Sequence, residues 1–147
     1  MLIDNSGVRC DMTGEILKGD FVYYSITGVR VHIVGDKATP YRDTLIDMDI
    51  CEAAFQTLIN RCRPFVGQMV QKGSLKCELS GATLSGEFDY WHLVIDKIVV
   101  PTSKADQKNG DVPIEVVNGV LDLNICQAEG DKMLETKASW RKAPMPS

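Results

Sequence analysis

Cys10-Asp-Met-Thr-Gly-Glu-Ile-Leu-Lys-Gly-Asp-Phe-Val-Tyr-Tyr24 is read twice in this chain. It returns as Cys77-Glu-Leu-Ser-Gly-Ala-Thr-Leu-Ser-Gly-Glu-Phe-Asp-Tyr-Trp91, at a constant offset of 77 − 10 = 67. Over 10–33 against 77–100, six positions are identical: Cys, Gly, Leu, Gly, Phe and Tyr. A repeat of this length means one supersecondary unit used twice. It predicts an α+β fold of two tandem related units of antiparallel strands packed on a shared core. The first unit occupies 1–64, a packed linker strand 65–76, the second unit 77–136 and a tail 137–147.

Outward from the repeat, each unit reads as a turn, strands and a closing helix. Cys10–Gly14 is a tight turn with Gly14 free to take positive φ. Asp20–Thr27 is rich in aromatic and β-branched residues. Thr27-Gly28 is a turn, and Val29–Val34 alternates as a half-buried strand does. Residues 35–43 form a loop. After the strand Leu45–Met48, Asp49 caps a helix over 49–62, with Glu52 completing a capping box. Cys51, Ala54, Phe55, Leu58, Ile59 and Cys62 share its apolar face, and Pro64 ends it. In the second unit, strands at Glu87–Ile95 and Lys97–Val100 precede a long polar loop. Ile114–Leu123 is then a hairpin about Asn118-Gly119. Asp122-Leu-Asn-Ile-Cys126 echoes Asp47-Met-Asp-Ile-Cys51, but Gly130 interrupts the helix expected to follow.

The 147 residues suffice for a real core, and 16 Lys and Arg against 20 Asp and Glu leave a net charge of −4. That balance argues against a broad nucleic-acid footprint. The N-terminus has no signal-like segment, and no apolar run approaches the roughly 18 residues of a membrane helix. Five cysteines in such a chain point to a reducing cytoplasm and free thiols.

The cysteines recur in register: Cys10 and Cys77 in the opening turns, Cys51 and Cys126 at the start of the closing helices. Each pair is expected to lie close in space. This layout resembles the zinc-ribbon and treble-clef families. There a Cys-x-x-Cys knuckle precedes a hairpin, and a second Cys-x-x-Cys begins a helix. In this chain the pattern is cysteine-depleted: the pairs read Cys10/Thr13, Cys51/Ala54, Cys77/Ser80 and Cys126/Glu129. Structural zinc is closed and tetrahedral. Three readings therefore stand: metal-free knuckles with the cysteines as small hydrophobes, a zinc site on Cys77, Cys126 and Glu129 with an outside ligand such as His92, or disulfides. The metal-free reading leads, so no cofactor is expected. The Cys-Asp-x-Thr-Gly and Asp-x-x-Ile-Cys phrases are also similar in style to small accessory proteins of bacteriophages.

Phe21, Tyr23, Phe88 and Tyr90 share one strand face, read as core. Tyr24 and Trp91 lie on the other face. With Trp140 and Arg141 of the tail they are the candidates for contact with a partner. Arg61, Arg63, Lys72 and Lys76 cluster about the linker. With Tyr24 and Trp91 for stacking, they would serve a nucleic-acid module derived from a zinc ribbon. Asp43, Asp47 and Asp49 alternate near a strand end. No nucleophile elbow, phosphate-cradling loop or metalloprotease motif occurs. The sequence therefore points to a non-enzymatic binding protein that docks on a host or viral protein assembly, as an inhibitor or virion component.

Overall fold

The computed structural model describes residues 2–4, 8–17, 21–35, 37–66, 74–100, 111–113 and 115–141, except for the side chains of 2–4, 43, 44, 111–113, 140 and 141. The class is α+β. Four long strands form one antiparallel sheet: β4 (Phe21–Val34), β5 (Lys37–Cys51), β8 (Glu87–Val100) and β10 (Glu115–Cys126). Their order is β10-β8-β4-β5. Two helices, α1 (Glu52–Cys62) and α2 (Gln127–Arg141), follow β5 and β10 directly. Short ladders complete the fold: β1 (Leu2–Asp4) with β9 (Asp111–Pro113), β2 (Val8–Arg9) with β3 (Ile16–Leu17), and β6 (Ser74–Lys76) with β7 (Thr83–Ser85).

Strand parity puts Tyr24, Ile26, Ile46, Met48, Ile50, Trp91, Leu93, Ile95, Leu123 and Ile125 on one face. All are buried, and Ala54, Phe55 and Leu58 of α1 and Met133 of α2 close over them. Burial of this many large side chains in one layer supplies the main driving force. On the opposite face Tyr23, Ile98 and Val100 gather with Val8, Leu17 and Phe21 in a smaller cluster.

The central ladder runs from Phe21↔Val100 to Val34↔Glu87, and its middle rung is Thr27↔Val94. Those two residues are themselves 94 − 27 = 67 apart. The rung therefore joins positions that correspond in the repeated text.

Several boundaries differ from the sequence reading. Thr27-Gly28 is no turn; it lies inside β4. A Cβ on Gly28 would stand 2.6 Å from Leu93 Cδ2 and 2.9 Å from Ile46 Cβ, so glycine marks close packing there. The expected loop after Val34 shrinks to two residues, and β5 begins at Lys37. Asp49 does not cap α1. It belongs to β5, and Cys51 stands at the N-cap without a side-chain cap. Asn118-Gly119 is a bulge rather than a hairpin turn, since β10 runs through it with a register shift between Val117 and Leu121. Gly119 has φ +64 and donates its N–H to Asp96 Oδ1 at 2.8 Å. Gly130 does not break α2, and residues 137–141 of the expected tail continue that helix. Of the expected linker strand, 67–73 lie outside the described residues, while Ser74–Lys76 pairs with β7.

Candidate functional site

Both cysteine turns are built alike. Cys10 N–H donates to Glu15 O at 2.7 Å and Gly14 N–H to Cys10 O at 2.8 Å. Cys77 N–H donates to Ala82 O at 2.7 Å and Gly81 N–H to Cys77 O at 2.8 Å. Gly14 and Gly81 hold φ of +79 and +80, a conformation that glycine adopts without strain. Each turn is tied to its long strand by a two-way bond. Asp11 N–H donates to Asp49 O at 2.7 Å, and Asp49 N–H returns to Asp11 Oδ2 at 2.9 Å. Glu78 N–H donates to Asn124 O at 2.9 Å, and Asn124 N–H returns to Glu78 Oε1 at 2.8 Å.

The sulfurs sit where backbone N–H groups converge. Cys10 Sγ accepts from Cys51 N–H at 3.2 Å and from Thr13 N–H at 3.4 Å. Burial would raise the Cys10 thiol, but bonds from Thr13 and from the Cys51 and Met12 backbone outweigh it and hold the group below its ordinary value. Cys77 behaves likewise, with burial overcome by Ser80 and by the Cys126 and Leu79 backbone. All five cysteines are free thiols.

The described residues at either turn do not make up the four ligands of a tetrahedral zinc ion. Among the described residues no three His, Cys, Asp or Glu side chains converge as ligands. Glu129 bonds Arg61 at 3.0 Å instead, and His92 bonds Asp122 at 2.6 Å. N–H···S bonds help to fix the first turn.

The first turn also borders a groove between the helices. Its volume is about 340 Å³. Ala54, Thr57, Leu58 and Arg61 of α1 face Glu129, Lys132, Met133 and Thr136 of α2, with Met12 and Thr13 at one end. Counting from Cys51 and Cys126, 75 residues apart, these are the same four positions of each helix. They are spaced i, i+3, i+4, i+7, which is one helical face. The floor is apolar: Met12, Ala54, Leu58 and Met133. At the rim Glu129, only 8% exposed, is met by Arg61 at 3.0 Å and by Lys132 at 3.8 Å. Two cations over one carboxylate leave the rim positive.

A second polar group lies at one end of the sheet. Asp89 accepts from Arg30 Nε at 2.9 Å and Nη2 at 2.5 Å, meets His32 Nδ1 at 2.5 Å, and accepts from Tyr41 Oη at 3.2 Å. His32 Nε2 faces Glu87 Oε1 at 3.2 Å, and the Arg30 guanidinium lies 4.9 Å from the Tyr41 ring centre. The carboxylates raise the His32 imidazole, the Asp89 bond most of all, despite the opposing effect of burial. Burial works against ionisation of Asp89, but its bonds to His32 and Arg30 keep it below the usual carboxylate range.

The structure brings together only part of the residues singled out from sequence. Tyr24 and Trp91 are 4% and 0% exposed, beneath the helices, so they form core and offer no surface to a protein or a base. The reason is that the helices cover this sheet face, whereas the sequence reading assigned the covered face to the aromatics of opposite parity. Trp140 and Arg141 belong to α2, but their side chains lie outside the described residues, as does Lys72 altogether. Arg61 stands on the groove rim, paired with Glu129. Arg63 follows α1 as its C-cap, and Lys76 lies in β6. Cys77 and Cys126 come together; Glu129 does not join them. Asp43 falls among side chains outside the description, while Asp47 and Asp49 lie on β5. The groove was missed because Lys132 and Met133 follow a glycine read as a breaker. The Asp89 network has only the alternation of Arg30 and His32 as a sequence signal. Among the described residues no helix is long and apolar enough to cross a membrane.

Comparison of the chain with protein-family models, with curated proteins and with solved structures finds no match.

Proposed function

We propose that the chain is a non-enzymatic binding protein of the cytoplasm that docks, through the groove between α1 and α2, on a larger host or viral protein assembly and modulates it. The observation that carries the reading is the groove itself. Its apolar floor has room for one or two bulky side chains, the usual form of an interface anchor. Two methionines, Met12 and Met133, line it and adapt to varied shapes. Its positive rim selects an acidic neighbour. The partner segment therefore presents an aliphatic residue beside an Asp or Glu.

The same reading holds that the halves are tandem related units of degenerate zinc-ribbon type. The matched bonds of the two turns and the Thr27↔Val94 rung support it. The nucleic-acid alternative has lost Tyr24 and Trp91 as stacking surfaces.

Selection of a random displayed peptide library on the intact chain tests the groove. The expected consensus is an aliphatic residue within two positions of an acid, and Lys132→Glu abolishes its recovery. Absence of a consensus, or one that Lys132→Glu and Thr57→Arg both leave untouched, sinks the proposal.

A further inference from the structure

The first half of β10 stands apart from the rest of the sheet. β10 is an edge strand, set against β8. Leu123 and Ile125 in its second half are buried, but all six residues of Glu115–Val120 are exposed. Val116, Val117 and Val120 keep 37%, 45% and 39% of their surface in solvent. The register shift between Val117 and Leu121 bends the strand here, and a Cβ added at Gly119 would meet nothing within 4 Å. From Val116 to Leu121 the segment carries no charge. An open, uncharged, valine-rich edge invites another chain, and proteins usually blunt such an edge with charge or cover it.

We propose that the groove between α1 and α2 takes this edge of a second copy of the chain, so that the protein assembles with itself. The proposal rests on the reading of the groove as a docking site and names its occupant. Residues two apart on a strand point to the same side, so Glu115 and Val117 project together. They are an aliphatic side chain beside an acid, the pair that the groove suits. Val117 enters the apolar floor of Met12, Leu58 and Met133. Glu115 meets the rim, where Arg61 and Lys132 place two cations around Glu129. Complementary charge then selects the partner and fixes its register.

The edge does not fill the groove of its own copy. Glu115, Val116 and Val117 are held in the ladder opposite Val99, Ile98 and Lys97, and none of them lines that groove. A second aliphatic and acidic pair, Leu45 and Asp47 on β5, is the weaker occupant. Leu45 is 54% exposed, but both residues already face Leu134 and Lys137 of α2 across a smaller hollow. Groove and β10 edge are different patches of one molecule, so each copy offers one of each.

Sedimentation of the intact chain over a range of concentrations tests the proposal. The expected result is self-association that deepens with concentration. Glu115→Lys and Lys132→Glu each weaken it about tenfold or more, because each sets like charges together. Mixing the two variants restores a species of two chains, since the intact groove of Glu115→Lys takes the intact edge of Lys132→Glu. That recovery also shows that both variants fold. A wild-type dimer indifferent to Lys132→Glu means that two β10 edges pair with each other, and it overturns the proposal. So does a mixture that associates no better than either variant alone. A wild-type chain that stays monomeric throughout overturns it as well, while the displayed-peptide selection still returns its consensus; loss of that consensus is the separate failure of the groove itself.

Discussion

Tyr24 and Trp91 correspond in the two halves, and so do Phe55 and Gly130 when counted from Cys51 and Cys126. Tyr24 stacks on Phe55 with ring centroids 3.7 Å apart and planes within 8°. Trp91 lies against Gly130, where an added Cβ would stand 2.0 Å from Trp91 Cδ1. Each helix is thus joined to the shared sheet by an aromatic contact, but the volume is divided differently. The first half splits it between two medium rings. The second puts nearly all of it on the strand and none on the helix. Cores tolerate such exchanges when total volume is kept. The second arrangement is the more demanding, because the Trp91 indole N–H is buried with no hydrogen-bond partner among the described residues. An unpartnered buried donor costs about 1–3 kcal/mol.

The sharpest way to break this comparison is Gly130→Ala. Glycine in a helix normally loses to alanine by about 1 kcal/mol. Here the order inverts: the methyl group meets the indole, and overpacking costs about 3 kcal/mol or more. Urea denaturation checks it. Trp91→Tyr alone opens a cavity and also destabilises. The double variant Trp91→Tyr with Gly130→Phe transplants the first half's contact into the second, so it recovers much of both losses. Strict additivity of the single effects would show that the two positions do not share one volume.

A second pair separates the halves chemically. Asp11 with Asp49 ties the first turn to its strand, and Glu78 with Asn124 ties the second, through the same two backbone bonds. The first tie sets two acids together where the second sets an acid and an amide. Burial, then the charges of Asp11 and Asp47, push the Asp49 carboxyl up to about 6, although Lys137 pulls the other way. A carboxyl raised in the folded state contributes stability that is full below its unfolded value of about 3.9 and lost as pH rises through the folded value. Asp49→Asn, which writes the second half's amide into the first, is therefore stabilising at neutral pH. The expected gain is about 1–2 kcal/mol after allowance for partial exposure. At about pH 3.5, below the ordinary carboxylate range, the gain vanishes. Thermal unfolding at the two pH values measures it, and a gain that persists at the acid value would place its origin elsewhere than ionisation.

These contacts also explain what was legible in the sequence. The two turns were readable from Cys10, Gly14 and their later counterparts, because turn glycines and local bonds act within a few residues. The expected proximity of Cys10 to Cys51, 41 residues apart, came instead from the recurrence of the cysteines in register, and Cys51 N–H does reach Cys10 Sγ. Gly28 and Gly130 were misread, since a glycine required by a facing side chain looks the same in sequence as one required by the backbone. The fate of Tyr24 and Trp91 was not readable either. Strand alternation separates two faces but does not say which face a helix will cover. The groove rests on the meeting of α1 and α2, which no local pattern encodes.

The smallest expected effect concerns the two ends of the central ladder. Arg30, His32 and Asp89 form a polar network at one end; Lys97, Val99 and Val22 hold the corresponding positions at the other. In the folded chain His32 is raised above its ordinary value, first by the bond it makes to Asp89 and against burial, with further help from the Asp89 and Glu87 charges. A histidine raised in this way contributes stability that is complete below its unfolded pKa of about 6.5 and disappears as pH climbs through the folded value. His32→Val makes this end resemble the other and removes that contribution. Wild type and variant should then differ most near pH 5.5 and converge by about pH 8.5, where the imidazole is neutral. The size is modest, because the pair is open to water and salt screens it. Raising the salt concentration should narrow the gap at the acid value. A gap equal at both pH values and indifferent to salt would mean that His32 acts through packing against Tyr41, whose ring lies 6.4 Å away edge-on, and not through its charge.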